Sequence, residues 1–356
     1  MHQKMYNSGA LCDGQNRHDF KMPEMRSAKS APNTIVACAA LRDTRAVAAL
    51  VDQHGRILVE RQVERPPSNA RATTAIIAKL ILEVLAAPER RNRPVAALGV
   101  SVPGHVDPKD DRVTMAKRLG YAGWIRVDFK ELIAKELPSQ LPIVLCARSA
   151  AAAAAEAWRG AARGSRNVVF LRLDDQIEAG LLVDGRILRG AGGRAGAVGW
   201  LALTENFRED FATRGCFTVD GAKMALVRRV IESWIHGEAS LVSRLGAENL
   251  SDLSVEMIVR AARGGDRLAL GAVADVCNWI GRGVANLIST LNPEVVVIGG
   301  ELGKSLKPFL DEVRREARRW AEPSSARQCR IVSATLGAQG ALLGAARLAW
   351  QHHELS

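Results

Sequence analysis

Leu182-Val183-Asp184-Gly185-Arg186-Ile187-Leu188 reads as two short strands joined by a tight Asp-Gly turn. The chain carries nearly the same wording earlier, as Leu50-Val51-Asp52 followed by Gly55-Arg56-Ile57-Leu58. Chance could give one such echo. A duplicated α/β unit explains it better, because the flanking patterns also recur. Around the first copy, 34–40 and 46–52 are apolar runs of strand length, Gln53-His54-Gly55 supplies turn chemistry, and 56–63 returns as a third strand. Pro66-Pro67-Ser68 breaks the sheet. The segment 72–85 then carries Ile76, Ile77, Leu80, Ile81, Val84 and Leu85 at helical spacing, and 95–102 is a buried-type strand running into Pro103-Gly104.

Around the second copy, 143–146 reads as a strand, Ser149 as the cap of an alanine-rich helix over 150–162, 168–173 as a strand and 179–188 as a hairpin. Beyond Gly221 the pattern is mainly helical (254–263, 267–291, 308–320). One exception is the buried strand Val295-Val296-Val297-Ile298, which ends in Gly299-Gly300. A last helix is expected over 338–351. This α/β alternation implies two lobes with a cleft between them. The expected division is a flexible tail over 1–33, an N-terminal lobe over 34–146 joined by the C-terminal helix 338–351, and a C-terminal lobe over 147–337.

Composition sets outer limits. The 356 residues are 47% hydrophobic and 24% charged, the balance of a globular protein with ample core. No run of eighteen apolar residues occurs, and the first thirty residues lack the apolar stretch of a secretory signal, so a cytoplasmic protein without a membrane span is expected. The six cysteines (Cys12, Cys38, Cys146, Cys216, Cys277, Cys329) form no C-x-x-C pair, which argues for isolated buried thiols over a disulfide scaffold or a standard zinc site. A net charge of +11 can attract polyanions, nucleic acid included. The basic residues are nonetheless spread along the chain, and arginine far outnumbers lysine in an alanine-rich sequence, a bias that gene base composition explains as well.

Several segments together resemble one family. They are Gly99-Val100-Ser101-Val102-Pro103-Gly104-His105-Val106-Asp107, Glu156-Ala157-Trp158-Arg159-Gly160-Ala161-Ala162-Arg163-Gly164, Asp184 to Gly190, Leu291-Asn292-Pro293-Glu294 through Gly299-Gly300, and Gly340-Ala341 with Gly344-Ala345-Ala346. Their order and spacing are similar to those of the ROK family of repressors and sugar kinases, from about Thr34 to Ala349. The resemblance implies a two-lobed α/β fold of the actin-like, hexokinase-like (ribonuclease H-like) ATPase class, and a dimer as the expected assembly.

The resemblance also implies a set of site positions, and there this chain departs. Active members carry an Asp and then Gly-Gly-Thr for ATP phosphates; here the matching residues are Ala40 and Arg42-Asp43-Thr44. A carboxylate at Asp43 facing triphosphate costs about 4 kcal/mol at 4 Å and intermediate dielectric, unless Arg42 offsets it or a bound Mg²⁺ reverses the sign. The family's general base, from an Asn-Asp pair, falls at Ala147-Arg148, and a guanidinium cannot accept a proton. A second phosphate loop of glycines falls at Asp174-Asp175-Gln176-Ile177-Glu178, read here as a solvated turn, with a relocated metal or base site on Asp174 and Asp175 as the alternative. The family's sugar-binding Gly-Glu-x-Gly-His becomes Gly196-Ala197-Val198-Gly199-Trp200. Its zinc cysteines become Glu209, Phe211 and Cys216, and the following glutamate becomes Thr218, so no structural zinc is expected.

The ligand-cleft candidates are Thr44, Gly104, His105, Asp174, Asp175, Trp200, Gly299 and Gly300. Trp200 is expected to plug the space of a lost histidine and metal rather than stack on a ring, and His105 to be a lone exposed histidine. Gly299 and Gly300 are expected to persist because the strand-to-helix turn needs them. The expected function is a catalytically degenerate regulator or ligand-binding protein, with a possible sugar ligand and no cofactor. The usual N-terminal helix-turn-helix of the family's repressors is not seen in the tail, although nucleic acid binding is not excluded. An ATP- and Mg²⁺-dependent hexose or N-acetylhexosamine kinase is the alternative, and an inactive subunit paired with an active homologue is a third.

Overall fold

A computed structural model describes residues 33–42, 44–64, 69–115, 124–137, 141–235 and 253–355. Every residue of β1 (Ile35–Leu41) is buried, so this strand has neighbours on both edges and both faces covered. It pairs antiparallel with β2 (Arg45–Asp52), which pairs antiparallel with β3 (Ile57–Glu64). The turn between them is fixed by Asp52, whose carboxylate accepts the His54 and Arg56 amides, and by Gly55 at φ +74°. Helix α1 (Ala70–Leu85), capped by Asn69, covers one face. On the other edge of β1 the parallel strand β4 (Val95–Val102) follows.

A three-stranded ribbon comes next, β5 (His105–Val106), β6 (Val113–Met115) and β7 (Trp124–Val127), followed by α2 (Phe129–Glu136). Strands of two to four residues leave no periodic signal, and none of these was expected from the sequence. Strand β8 (Ile143–Ala147), parallel to β4, completes a sheet of order β3-β2-β1-β4-β8. Helix α3 (Arg148–Arg159) starts directly from it. Ala147 is its cap residue and gives no side-chain hydrogen bond, so Ser149 is not the cap that the sequence suggested but lies buried in the first turn.

The second sheet repeats the first. Strand β9 (Val168–Leu173) pairs antiparallel with β10 (Ile177–Val183), which pairs antiparallel with β11 (Arg186–Ile187). The intervening helices are α4 (Glu209–Arg214), α5 (Cys216–Gly221), α6 (Lys223–Ile235), α7 (Val255–Arg263) and α8 (Arg267–Leu291). Strand β12 (Val295–Gly299) then runs parallel to β9. Helices α9 (Gly300–Ser305), α10 (Leu310–Trp320) and α11 (Pro323–Gln328) lead to β13 (Arg330–Ser333), parallel to β12. The resulting order, β11-β10-β9-β12-β13, matches the first sheet position by position and direction by direction. The repeated wording falls on equivalent turns, with Gly185 at φ +78° where the first copy has Gly55. Strand β13 was missed because Arg330-Ile331-Val332-Ser333 is short and half polar, and lies at a sheet edge.

Helices α3 and α12 (Gly340–Leu355) lie between the sheets and are packed by removing side chains rather than adding them. A Cβ on Gly99 of β4 would stand under 3.0 Å from the Ala345 backbone of α12. One on Gly344 would meet the Ala151 backbone of α3, and one on Gly180 of β10 the Ser149 backbone, at similarly forbidden range. Ala151, Ala154 and Ala155 join the core of the first sheet, while Ala152 and Ala153 join that of the second. Buried Glu156 fastens the far end of α3. Its carboxylate accepts from Ala161 N (2.7 Å), Thr335 N (3.0 Å), Thr335 Oγ1 (3.1 Å) and Leu336 N (3.0 Å), on the segment that enters α12.

The same substitution should therefore have opposite signs in two helices. Gly344→Ala is expected to lower unfolding free energy by about 2–3 kcal/mol, since backbone must move. Gly271→Ala, on the open surface of α8, is expected to raise it by about 0.5–1 kcal/mol. Denaturant unfolding of the two variants checks both.

Candidate functional site

The turn between β9 and β10 is held by one arginine. Register places Arg172 of β9 opposite Glu178 of β10, and the Arg172 Nη2 donates to Glu178 Oε2 at 3.1 Å. Its Nη1 donates to Asp174 Oδ2. The other oxygen of Asp174 accepts the Glu301 amide at 2.6 Å, at the start of α9. Gly300, at φ +86°, lies so close that a Cβ would collide with the Leu173 carbonyl and Asp174 Oδ1. The turn itself thus requires Gly300, whereas Gly299, in ordinary extended backbone, is kept small by the Phe170 ring packed against it. Lys223 Nζ bridges Asp175 (3.4 Å) and Glu301 (3.1 Å) at the surface.

The expected solvated turn thus needs correction. Asp175 fits it, with its side chain 62% exposed, but Asp174 is 18% exposed and built into the β9–α9 junction. Burial raises the Asp174 carboxyl above its usual range, more than the Arg172 and Arg148 guanidiniums lower it. Glu178 is less covered, at 33%. Burial pushes it up as well, but Arg172 and Arg148 outweigh that and hold it below the ordinary carboxylate range.

Glu178 opens onto a cleft of roughly 650 Å³ including its mouth. One wall is Gly104, His105 and Val106, from the β4–β5 corner. Another is the end of β8 with the first turn of α3, Cys146 to Ala150 without Arg148. The floor is Glu178 to Leu181 of β10, and the far side is formed by Ile187 to Arg189 and by Gly193 and Ala195 to Ala197. His105 is not the exposed histidine expected. It is half-buried, its ring is bonded to the Gly193 backbone, and burial pulls its pKa below the ordinary 6.5 in spite of Glu178 nearby. Arg148, the first residue of α3, is buried.

The remaining candidates lie elsewhere. Thr44 is exposed at the β1–β2 turn and does not line this cleft, while Asp43 lies outside the described residues. Trp200 is 55% exposed, so it plugs nothing, and it is not part of the cleft lining. The space assigned to the zinc ligands is filled otherwise. Phe211, Cys216 and Val219 form a small apolar cluster with Leu203 and Trp279, and the Cys216 thiol accepts the Leu203 amide. Arg208 stacks over the Phe211 ring at 4.4 Å. One thiol, one phenyl and an exposed indole do not fit a four-donor zinc site. Thr218 accepts the Ile177 amide instead of offering a carboxylate.

The candidate residues of the turn and cleft that the sequence reading passed over are Arg172, Arg189 and Glu178. A signal for the last existed. Along β10 the core residues Ile177, Ala179 and Leu181 alternate with Glu178 and Gly180, so a charge on the opposite face had to meet either solvent or a site.

A family model described as ROK family matches residues 38–352. The chain belongs to the ROK family. A putative xylose repressor of Caldicellulosiruptor sp. is 27% identical over 66% of this chain and 58% of the relative, so this ROK protein spans little more than half the length of that repressor. A solved ROK glucokinase from Streptomyces griseus, in complex with glucose and AMPPNP, is 26% identical. It superposes with a TM-score of 0.73 over 89% of this chain and 99% of that one. A solved ROK family transcriptional regulator, a homologue of the Escherichia coli MLC protein, shares the fold at a TM-score of 0.79 and 21% identity, over 91% and 79% of the two chains. The two sheets described above are therefore those of the two-lobed actin-like, hexokinase-like fold. Among the described residues, no helix is long and apolar enough to cross a membrane, and the five cysteines in this range are buried free thiols.

Replacing Arg172 with Met is expected to cost roughly 2–3 kcal/mol near neutral pH, because two partly buried carboxylates lose their cation. Glu178, with a folded pKa below the ordinary 4.5, contributes stability that is complete above that value and is lost as pH falls past it. Asp174 runs the other way, giving up stability as pH rises through and beyond 3.8, and does so more steeply without Arg172. The gap between wild type and Arg172→Met should therefore narrow as both carboxyls are protonated, which denaturant melts at neutral and acid pH would show.

Proposed function

We propose that this chain is a ROK protein that binds a sugar without phosphorylating it, and that its role is regulatory. The observation that carries this reading is the arginine-centred network at the β9–β10 turn. Asp174 is spent on Arg172 and the Glu301 amide, and Glu178, with one oxygen on Arg172, is held below the ordinary carboxylate range by Arg172 and Arg148, which makes it a weak proton acceptor. Phosphoryl transfer to a hydroxyl needs a carboxylate able to take its proton and backbone N–H groups turned toward phosphate oxygens. Here the Glu301 amide at the α9 start is taken by the chain's own Asp174 carboxylate. Like charge at that point disfavours a triphosphate. Residue 148, where the resemblance puts the general base, is an arginine.

The cleft itself is supported as a binding site by its size and by the polar groups gathered on apolar walls. The relatives span repressors and glucokinases, so both roles belong to the family's range. A cytoplasmic setting agrees with five buried free thiols, which persist in a reducing compartment.

The reading is tested by incubating purified protein with ATP, Mg²⁺ and, in turn, D-glucose, D-xylose and N-acetyl-D-glucosamine. The expected result is no sugar phosphate above the protein-free control, together with a rise in melting temperature with at least one of the sugars. Turnover in the ordinary enzymatic range, about 1 s⁻¹ or faster, would make the chain a sugar kinase and overturn the proposal.

A further inference from the structure

Among the described residues Glu178 is the one carboxylate lining the cleft, and its two oxygens are in different states. Oε2 accepts from Arg172 at 3.1 Å, whereas among the described residues nothing donates to Oε1. The side chain is one third exposed while the guanidinium behind it is 8% exposed. The cleft thus presents an oxygen acceptor, with the cation buried beneath. Arg148 adds a second positive charge on the buried side.

That arrangement selects among ligand chemistries. An anion carries no hydrogen to offer an acceptor-only carboxylate and so forms no bond to the open Oε1. A cation would meet a carboxylate already neutralised by guanidiniums, with Arg189 on the far wall, and would gain little. A neutral polyhydroxy compound gains most, because an ionised acceptor makes stronger hydrogen bonds to hydroxyl groups than a neutral one. His105, next to Glu178 and engaged with the Gly193 backbone, offers a further ring nitrogen, and Arg189, which pairs with Asp111 at 4.0 Å, lines the opposite wall.

We propose that Glu178 is the ligand-anchoring residue of this cleft and that its Oε1 receives hydroxyl groups of a neutral sugar. The inference rests on the sugar-binding reading above and deepens it. It also has a spatial counterpart. The Ala179 amide donates to the Gly196 carbonyl at 2.8 Å, so the residues flanking that pair, Glu178 and Ala197, are neighbours across one backbone hydrogen bond and line the same cleft. Ala197 brings only a methyl group to it. A carboxylate moved from 178 to 197 would still reach the same volume.

The test is calorimetric titration of D-glucose and of D-xylose into the full chain, as wild type, Glu178→Gln, and Glu178→Gln combined with Ala197→Glu. The Gln side chain keeps the shape and still accepts from Arg172, so the variant should unfold cooperatively, with its melting temperature lowered only by the loss of one ion pair, and that transition reports folding. Wild type is expected to bind at least one sugar, Glu178→Gln to bind it at least tenfold more weakly, and the double variant to recover part of the loss. Undiminished affinity in Glu178→Gln overturns the anchoring role and leaves the sugar-binding reading standing. A double variant no better than the single one overturns the shared volume with Ala197. Wild type that binds neither sugar overturns this inference, and if N-acetyl-D-glucosamine also leaves the melting temperature unmoved, the sugar-binding reading falls with it.

Discussion

Backbone touching backbone across the middle of the molecule is the constraint on which the rest depends. Sheet, helix, helix and sheet follow one another through Gly99 against Ala345, Gly344 against Ala151, and Gly180 against Ser149, and no side chain separates any of the three pairs. Dispersion contacts are dense at such distances and leave little room for adjustment. The alanine run of α3 serves both sheets at once for the same reason. This packing also fixes the cleft, because one of the three close pairs, Ser149 and Gly180, lines it. Glu156 holds the opposite end of α3 to the start of α12, so the helix is pinned at both ends.

On that rigid frame the polar chemistry is concentrated at one strand turn. Arg172 binds two carboxylates whose environments push them in opposite directions, Asp174 upward by burial and Glu178 downward by charge. Asp174 is spent on structure, tying β9 to the start of α9. Glu178 keeps one oxygen in hand. Two acidic residues four positions apart in sequence thereby acquire different duties, and the difference follows from depth: the deeper one caps a helix start, and the shallower one faces the cleft.

How much of this the sequence displays depends on how local the cause is. The duplicated unit was readable because its turn chemistry, Asp and Gly around a required positive φ, is written in adjacent residues at 52–56 and 184–186. The long apolar strands and α8, with Asp266 as cap, were readable for the same reason. The β5–β7 ribbon and β13 were not, since strands this short are created by their neighbours rather than by their own pattern. At the turn after β12, the positive φ of Gly300 agrees with the reading that the turn needs it, whereas Gly299 is kept small by the Phe170 ring. His105 and Trp200 were misjudged because exposure is a tertiary property: the Gly193 loop covers the histidine, and nothing covers the tryptophan. Glu178 was read as a lost glycine, because its partner Arg172 is adjacent only across the strand pair.

The central claim is that the cleft retains the means to hold a sugar while the turn beside it no longer receives a nucleotide triphosphate. Titrating Mg²⁺ and a non-hydrolysable ATP analogue into the protein, with and without saturating sugar, addresses it most directly. The account predicts binding heat for the sugar and none for the nucleotide in either case. Saturable nucleotide binding that tightens when sugar is present would contradict it.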